Sequence, residues 1–175
     1  MSTLKVNNIQ TTGGDPNLGR VINVIQTVDS SATFLSGTAG TYRTYSGLDT
    51  SVTPLRSNSK FLITYGVKVG VYQYSSRITM FVNGNVVLSR EGNSSSYRSS
   101  SHTFFGATAD ASGNASIEGY DGQYLYGHSG SGSFNITFEA YAQDGNGLYI
   151  NRAYTYDDTS RGRPSSFLTV MEIAQ

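Results

Sequence analysis

Apolar and polar residues alternate along two long segments of the chain. In the first, the apolar positions are Phe61, Ile63, Tyr65, Val67, Val69 and Val71. In the second, they are Phe134, Ile136, Phe138, Ala140 and Ala142. Because successive side chains of a strand point to opposite faces of the sheet, a period of two predicts strands with one buried face. The two segments therefore predict two long strands that share a core.

Shorter apolar runs recur between clusters of Gly, Ser, Asn and Asp in the remainder of the chain. The predicted strands are 21–28, 41–53 with an interruption, 60–72, 76–82, 85–90, 102–108, 115–126, 133–143, 147–154 and 165–174. The pair Asn83-Gly84 lies between two apolar runs and tolerates the positive φ angles of a tight turn, so 76–90 is predicted to form a hairpin. Short strands at this spacing favour an all-β sandwich or barrel.

The last predicted strand, from Ser166 to Ala174, has apolar residues on both faces. Such a strand needs cover on both sides, either from its own domain or from a partner subunit. The predicted oligomer contacts are Phe167, Leu168, Val170, Met171 and Ile173. Homo-oligomerisation is the corresponding expectation.

The first twenty residues differ from the rest of the chain. A short alternating segment, Leu4 to Gln10, is followed by the turn-forming residues 12–17. We interpret 1–20 as an extended arm joined to a head domain at 21–175. The arm is either a frayed terminus or a docking peptide that inserts Leu4, Val6 and Ile9 into a neighbouring protein of an assembly.

Composition narrows the class of protein. The chain has 13 Tyr, 8 Phe and 20 Gly, and only 14% of its 175 residues are charged, which favours strands over helices. Lys plus Arg equals Asp plus Glu at 12 each, so no long-range field attracts nucleic acid or an anionic membrane. There is no cysteine, and no apolar run is long enough for membrane insertion or for a secretory signal.

Tyrosines and an arginine in or beside loop-like stretches give the strongest indication of binding. Tyrosine has an apolar face and a polar tip, which suits contact with sugars or proteins. The candidate receptor or glycan contacts are Tyr97, Tyr120, Tyr124, Tyr126, Tyr154, Tyr156 and Arg152. The alternative is that these tyrosines cover sheet faces or subunit contacts, because tyrosine is also a good strand residue.

No catalytic motif, cofactor site or metal site is predicted. The two histidines, His102 and His128, have no nucleophile motif beside them, and Ser129 to Gly132 is interpreted as a flexible loop. Most acidic residues occupy turns, and Glu118 with Asp121 is the one carboxylate pair that glycan cleavage would use. The expectation is a protein that is not an enzyme.

Both ends of the chain resemble a known family. Leu4-Lys5-Val6-Asn7-Asn8-Ile9-Gln10-Thr11-Thr12-Gly13-Gly14 is similar to the opening of many structural proteins of marine tailed bacteriophages, the cyanophage-type tail or head fibres. Ser166 to Ala174 is similar to their ending, and Leu48 to Pro54 followed by Asn58 to Ile63 resembles their first hairpin. The resemblance implies a jelly-roll-like β-sandwich that assembles as a trimer and is held to the virion by its N-terminal segment.

Three functions follow as alternatives. The first is a small trimeric tail fibre or fibre tip that contacts other phage structural proteins through its arm and host surface glycan through its loops. The second is a head decoration or head fibre that stabilises the capsid. The third, of another class, is an enzyme that degrades surface polysaccharide. For the first two, the expected location is the virion, assembled in the host cytoplasm.

Overall fold

The computed structural model describes residues 19–71, 76–88, 117–142, 147–153 and 163–175. These residues contain ten strands and no helix, so the prediction of an all-β fold is confirmed. The strands are β1 (Val21–Asp29), β2 (Thr33–Leu35), β3 (Thr41–Val52), β4 (Lys60–Val71), β5 (Ser76–Val82), β6 (Asn85–Leu88), β7 (Glu118–Gly127), β8 (Phe134–Ala142), β9 (Leu148–Ile150) and β10 (Ser166–Ile173).

Two antiparallel sheets pack together as a β-sandwich. The six-stranded sheet has the order β1-β10-β4-β9-β2, with β7 on the other edge of β4, and the four-stranded sheet has the order β3-β8-β5-β6. The short strands β2 and β9 extend the rows begun by β1 and β10, so each sheet is about four strands wide. The resulting rows, β1-β10-β4-β7 and β3-β8-β5-β6, are compatible with the eight strands of a jelly roll.

The core lies between β4 and β8, as their alternation predicts. Phe61 contacts Phe134 edge-on with ring centroids 4.8 Å apart, and Tyr65 contacts Phe138 at 5.3 Å. All four side chains are buried. Because burying one large apolar side chain contributes about 1.5–3 kcal/mol, this ladder of rings accounts for a large share of the attraction between the sheets.

The predicted strands agree closely with the observed ones. Asn83 and Gly84 have φ angles of 50° and 73°, which confirms the predicted hairpin between β5 and β6. The interruption predicted in 41–53 is a register shift of β3 against β8 between Tyr45 and Thr50. Strand β2 was not predicted, and the predicted strand at 102–108 lies outside the described residues.

Two buried polar groups fix the loops at opposite ends of the sandwich. The Glu172 carboxylate accepts hydrogen bonds from Leu55 N at 2.9 Å, Arg56 N at 3.0 Å and Ser59 Oγ at 2.7 Å. This holds the loop between β3 and β4 against β10. Asp29 accepts a hydrogen bond from the Tyr45 hydroxyl at 2.7 Å, and burial followed by the Asp29 carboxylate raises the Tyr45 pKa well above its ordinary value.

The chain enters the sandwich at one end. Gly19 N donates to Ala174 O at 2.7 Å, and Ala174 N donates to Arg20 O at 3.0 Å, so Gly19 and Arg20 already pair with the end of β10. We call this the proximal end, and it also contains Val52, Lys60, Gly127 and Phe134. The opposite or distal end contains Leu35, Thr41, Val71, Glu118 and Ala142. Leu4, Val6 and Ile9 lie outside the described residues.

Candidate functional site

The outward side of the six-stranded sheet, here called the outer face, carries more apolar than polar side chains. Phe61, Ile63 and Tyr65 of β4 point into the core, so the residues between them point outward. Strand pairing then places the neighbours of those residues on the same side. The apolar members of the outer face are Val21, Val24, Val28, Phe34, Leu62, Leu125, Tyr149, Phe167, Met171 and Ile173.

These side chains form rows across the sheet. One row runs through Val24, Met171, Leu62 and Leu125, and a second joins Val28 to Phe167. The Phe167 ring lies against Gly66, because a Cβ added at Gly66 would come within 2.5 Å of the ring. Glycine at this position therefore leaves the space that the Phe167 ring occupies.

The outer face is exposed as well as apolar. Val24 is 56% exposed, Val28 57% and Leu125 52%. Five of the seven large apolar side chains that are well exposed in the described residues lie on this face. At the distal end, the Phe34 ring packs on Tyr149 with centroids 4.7 Å apart. Clustered exposed apolar side chains of this kind mark an interaction site more often than a free surface.

The polar groups of the outer face form one row across the sheet, through Gln26, Thr169, Thr64 and Gln123, and flank it at Lys60, Lys68 and Asp121. Gln26 donates to Thr169 Oγ1 at 3.2 Å in the row between the two apolar rows. Lys68 Nζ lies 3.3 Å from Asp121 Oδ1 towards the distal end. The Asp121 carboxylate acts second to burial in raising the pKa of Tyr65, on the inner side of the sheet, to about 12.

The outward side of the four-stranded sheet has a different composition. Thr44 of β3 pairs with Glu139 of β8, and Ser51 pairs with Asn135. Arg77 lies over the Tyr141 ring at 5.0 Å from its centroid. This side presents mainly hydroxyl, amide and charged groups, so the apolar character of the outer face is not a general property of the sandwich.

A second group of aromatic residues lies at the proximal end. The His128 ring packs on Phe134 with centroids 5.1 Å apart and lies 5.9 Å from the Tyr126 ring. His128 Nε2 lies 2.8 Å from Gly132 O, and the backbone N of His128 donates to Ser59 O at 3.1 Å. The loop from Ser129 to Gly132 was interpreted as flexible. His128 holds it at its start through the backbone bond to Ser59 and at its end through the ring contact with Gly132.

The predicted oligomer contacts separate into two groups. Leu168 and Val170 are buried in the core, with exposures of 0% and 1%, so their assignment to a subunit contact is wrong. They are inward positions of β10 and are covered by the second sheet of the same chain. Phe167, Met171 and Ile173 point outward and are half-buried members of the outer face.

The predicted receptor contacts also separate. Tyr120 is 3% exposed and its hydroxyl bonds to the side chain and the backbone carbonyl of Ser76, so it is a core residue and its assignment to a binding loop is wrong. Tyr124 and Tyr126 are half-buried and pack against the core. Arg152 follows β9 and lies over the Tyr149 ring at 4.7 Å. The remaining three, Tyr97, Tyr154 and Tyr156, lie outside the described residues.

Residues of the outer face that sequence analysis did not identify include Val24, Val28 and Leu125. The first two belong to a predicted strand that has apolar residues on both sides, with Ile25 on the other side, a pattern that could have indicated a second apolar face. Leu125 becomes recognisable only when β7 is paired with β4, because its neighbour on the face is Leu62.

Metal and membrane sites were also sought in the described ranges. Within them, no three His, Asp or Glu side chains come together as a metal site requires. No helix there is long and apolar enough to cross a membrane.

No protein-family model matches the chain, and no curated protein sequence matches it. Among solved structures, the sugar-binding C-terminal domain of EclA is 11% identical with a TM-score of 0.36 over 83% of this chain and 78% of that one. Dimeric latent PorU from Porphyromonas gingivalis is 8% identical with a TM-score of 0.45, over 95% of this chain and 14% of that one. The structure of the infectious bursal disease virus Gx strain is 11% identical with a TM-score of 0.39, over 96% of this chain and 42% of that one. Likenesses this weak carry no functional information.

Proposed function

We propose that this protein is a self-assembling structural protein of a tailed-phage virion, a small homotrimeric fibre or fibre tip. The observation that carries the proposal is the exposed apolar outer face. Copies of the chain associate through this face, the N-terminal segment 1–20 attaches the assembly to other virion proteins, and the distal end faces the host surface. The protein acts by binding and by mechanical support, without catalysing a reaction.

The size of the outer face suits a subunit contact. Strand β4 has 12 residues. At about 3.3 Å per residue and about 4.8 Å between strands, a face four strands wide covers about 600–800 Å². A standard protein interface buries about 800 Å² from each partner. Because each subunit of a trimer makes two such contacts, the outer face provides at most about half of the area needed, and the edge strands beside it provide room for the rest.

The charge of the protein favours a second copy as the occupant. The chain has equal numbers of basic and acidic residues, 12 of each, so copies do not repel one another at long range. The main charged pair of the face, Lys68 with Asp121, is already internally neutral. A strongly charged partner would find no complementary field here, whereas another apolar, neutral face fits.

The direction of the chain is consistent with attachment at one end and contact at the other. The segment 1–20 meets the sandwich at the proximal end through Gly19 and Arg20. The strand ends next to 72–75 and 143–146 lie at the distal end. In a trimer with cyclic symmetry, the three outer faces line the axis and all three proximal ends point the same way. The subunit number of three comes from the family resemblance.

The test is the mass of the full-length protein in solution, measured by light scattering. We expect a trimer for the unchanged chain. Val24→Lys places a charge in the apolar row and is expected to give monomers with an unchanged circular dichroism spectrum. Thr44→Lys is the matched control, because Thr44 is an exposed strand residue on the polar side of the other sheet and lies opposite Glu139.

A monomeric unchanged chain would contradict self-assembly. A trimer that survives Val24→Lys but not Thr44→Lys would place the contact on the other sheet and would contradict the role of the outer face. Removal of 1–18 tests the attachment step separately, since the truncated protein should still form trimers and should fail to join virions.

A further inference from the structure

A row of polar side chains crosses the middle of the outer face. Gln26 of β1 pairs with Thr169 of β10, and Thr169 pairs with Thr64 of β4. Thr64 in turn pairs with Gln123 of β7. These four residues are called the polar row. The row extends over the full width of the face at this height, with one glutamine on each of the two outermost strands.

Apolar rows lie on both sides of the polar row. The row on the proximal side includes Val24 and Leu125, and the row on the distal side includes Val28 and Phe167. Because successive outward residues of one strand are about 7 Å apart, each apolar row lies about 7 Å from the polar row. The face therefore changes from apolar to polar and back to apolar along the direction of the strands.

The two ends of the polar row are its most accessible parts. Gln26 and Gln123 are exposed, whereas Thr64 and Thr169 are half-buried. Gln26 Nε2 donates to Thr169 Oγ1 at 3.2 Å. A primary amide has two N–H donors and one carbonyl acceptor, so the Gln26 amide keeps one donor and its acceptor for a second partner. A contact that removes water from these groups must supply that partner.

Cyclic symmetry brings opposite ends of the polar row together. In the proposed trimer the outer faces line the axis, so the β1 edge of one copy meets the β7 edge of the next copy. Rotation about the axis does not change the height of a residue along it. Gln26 of one copy therefore lies level with Gln123 of the neighbouring copy, and two facing primary amides can each donate to the carbonyl of the other.

We propose that the polar row sets the register and the subunit number of the assembly, through pairing of Gln26 with Gln123 of the neighbouring copy. The proposal rests on the proposed function, because it requires copies that associate through the outer face. It assigns the choice of arrangement to the polar row and the attraction between copies to the apolar rows.

The division of roles follows from the direction of each interaction. Hydrophobic attraction is non-directional, so apolar rows alone would tolerate a slip between copies. A slip by one outward position moves each amide by about 7 Å, onto the apolar side chains of the adjoining row. The amide then loses its partner inside a dry contact, which is unfavourable. Single polar residues in coiled-coil seams fix register and subunit number in the same way, at a cost in affinity.

The first experiment is a double-mutant cycle on the full-length protein, with dissociation constants measured by sedimentation equilibrium. Within one chain, three strand spacings of about 4.8 Å place Gln26 and Gln123 about 14 Å apart. This distance exceeds the screening length of about 8 Å in 0.15 M salt, so charges at the two positions couple strongly only across a contact between copies.

Gln26→Lys alone should weaken association. Gln123→Glu in the same chain should then restore it by about fivefold per contact, a factor that corresponds to about 1 kcal/mol. Thr44→Lys combined with Gln123→Glu is the matched control, because Thr44 lies on the polar side of the other sheet, and it should show no coupling.

The second experiment removes the selection. Gln26→Val with Gln123→Leu makes both ends of the polar row apolar, so association should tighten while light scattering detects more than one assembly mass. Thr44→Val removes a polar group from the other sheet and should leave a single trimer.

Two results would overturn the role of the polar row and leave self-assembly standing. One is an intact trimer in which Gln26→Lys and Gln123→Glu do not couple. The other is a single trimer mass for Gln26→Val with Gln123→Leu. A monomeric unchanged chain would overturn the proposed assembly together with the polar row, so the mass of the unchanged chain separates the two failures.

Discussion

Strands β8 and β10 lie at the centres of the two sheets, and they differ in the side chains that they turn away from the core. The outward residues of β8 include Asn135, Thr137 and Glu139. Those of β10 include Phe167, Met171 and Ile173. Both strands alternate with a period of two, because each must supply one wall of the same core. The inward pattern is therefore required for folding.

The outward pattern is not required for folding, so the difference between the strands reflects what each sheet meets outside. Water is adequate cover for β8, with its hydroxyl, amide and carboxylate groups. The apolar side of β10 extends across β1, β4 and β7 as the outer face. Its contribution to stability becomes favourable only when another surface covers it and removes it from water. The fold requires β10 to be apolar only on the side that faces the core, yet β10 has the sequence pattern of a strand that is covered on both sides.

The inward sides of β8 and β10 also differ, and substitution of Glu172 is expected to have the largest effect on stability. All inward residues of β8 are apolar, whereas Glu172 of β10 is 2% exposed and accepts hydrogen bonds from Leu55 N, Arg56 N and Ser59 Oγ. Glu172→Ala leaves these donors unsatisfied, so we expect the free energy of unfolding to fall by about 3 kcal/mol or more.

Denaturant unfolding of Glu172→Ala measures this loss. Thr169→Ala is the control on the outward side of the same strand, where the hydrogen bond from Gln26 is exposed, and it should change stability by less than about 0.5 kcal/mol. Similar losses in the two variants would show that the Glu172 contacts do not hold the loop between β3 and β4.

The difference between the two sides of each sheet also explains which features the sequence could predict. Strands β4 and β8 and the turn at Asn83 depend on local patterns, and all were predicted. Strand β2 has three residues and exists because it pairs with β9, which no local period encodes. Tyr120 was taken as a binding residue because it lies in or beside a loop-like stretch, although it also falls in the predicted strand 115–126. The neighbouring Gly122 leaves space for the Tyr65 ring of the core.

The outer face needed the pairing of strands that are distant in sequence. Val24, Met171 and Leu125 belong to three strands, and each looks like an ordinary strand residue on its own. Only the register of β1, β10, β4 and β7 brings them into one row. The outward residues of β10 were predicted as oligomer contacts because the strand is apolar on both sides. Leu168 and Val170 were included in that prediction because an apolar pattern on both sides does not show which side faces the core.

The two tyrosines at the core make the stability of both sheets sensitive to alkaline pH. Burial raises the pKa of Tyr65 from its ordinary value of 10.0 to about 12, and burial also raises that of Tyr45. The unfolded chain therefore releases these protons first. The free energy of unfolding is expected to be constant with respect to these groups below about pH 10 and to fall as pH rises towards 12, by up to about 1.4 kcal/mol per pH unit for each tyrosine.

Denaturant titrations at several pH values above about 9 measure this slope. Tyr65→Phe removes the contribution of the six-stranded sheet and should reduce the slope while Tyr45 continues to contribute. The absorbance of tyrosinate should rise for both core tyrosines only as the protein unfolds. Ionisation of Tyr65 in the folded protein near pH 10 would contradict its burial between the sheets.

The smallest expected effect comes from exchanging polarity between the two outward sides with little change of shape. Val28→Thr puts a hydroxyl on the outer face at a site that is 57% exposed, and Thr44→Val removes one from the exposed polar side. If the outer face is covered in the assembly, Val28→Thr weakens association by about 1 kcal/mol per contact, or roughly fivefold in the dissociation constant, since the hydroxyl loses water when the contact forms. Thr44→Val stays exposed and should change association by less than about 0.5 kcal/mol.

Sedimentation equilibrium measures the dissociation constants of both variants. Equal weakening by the two variants would mean that the two outward sides meet the same surroundings, and the apolar pattern of β10 would then have no role in assembly.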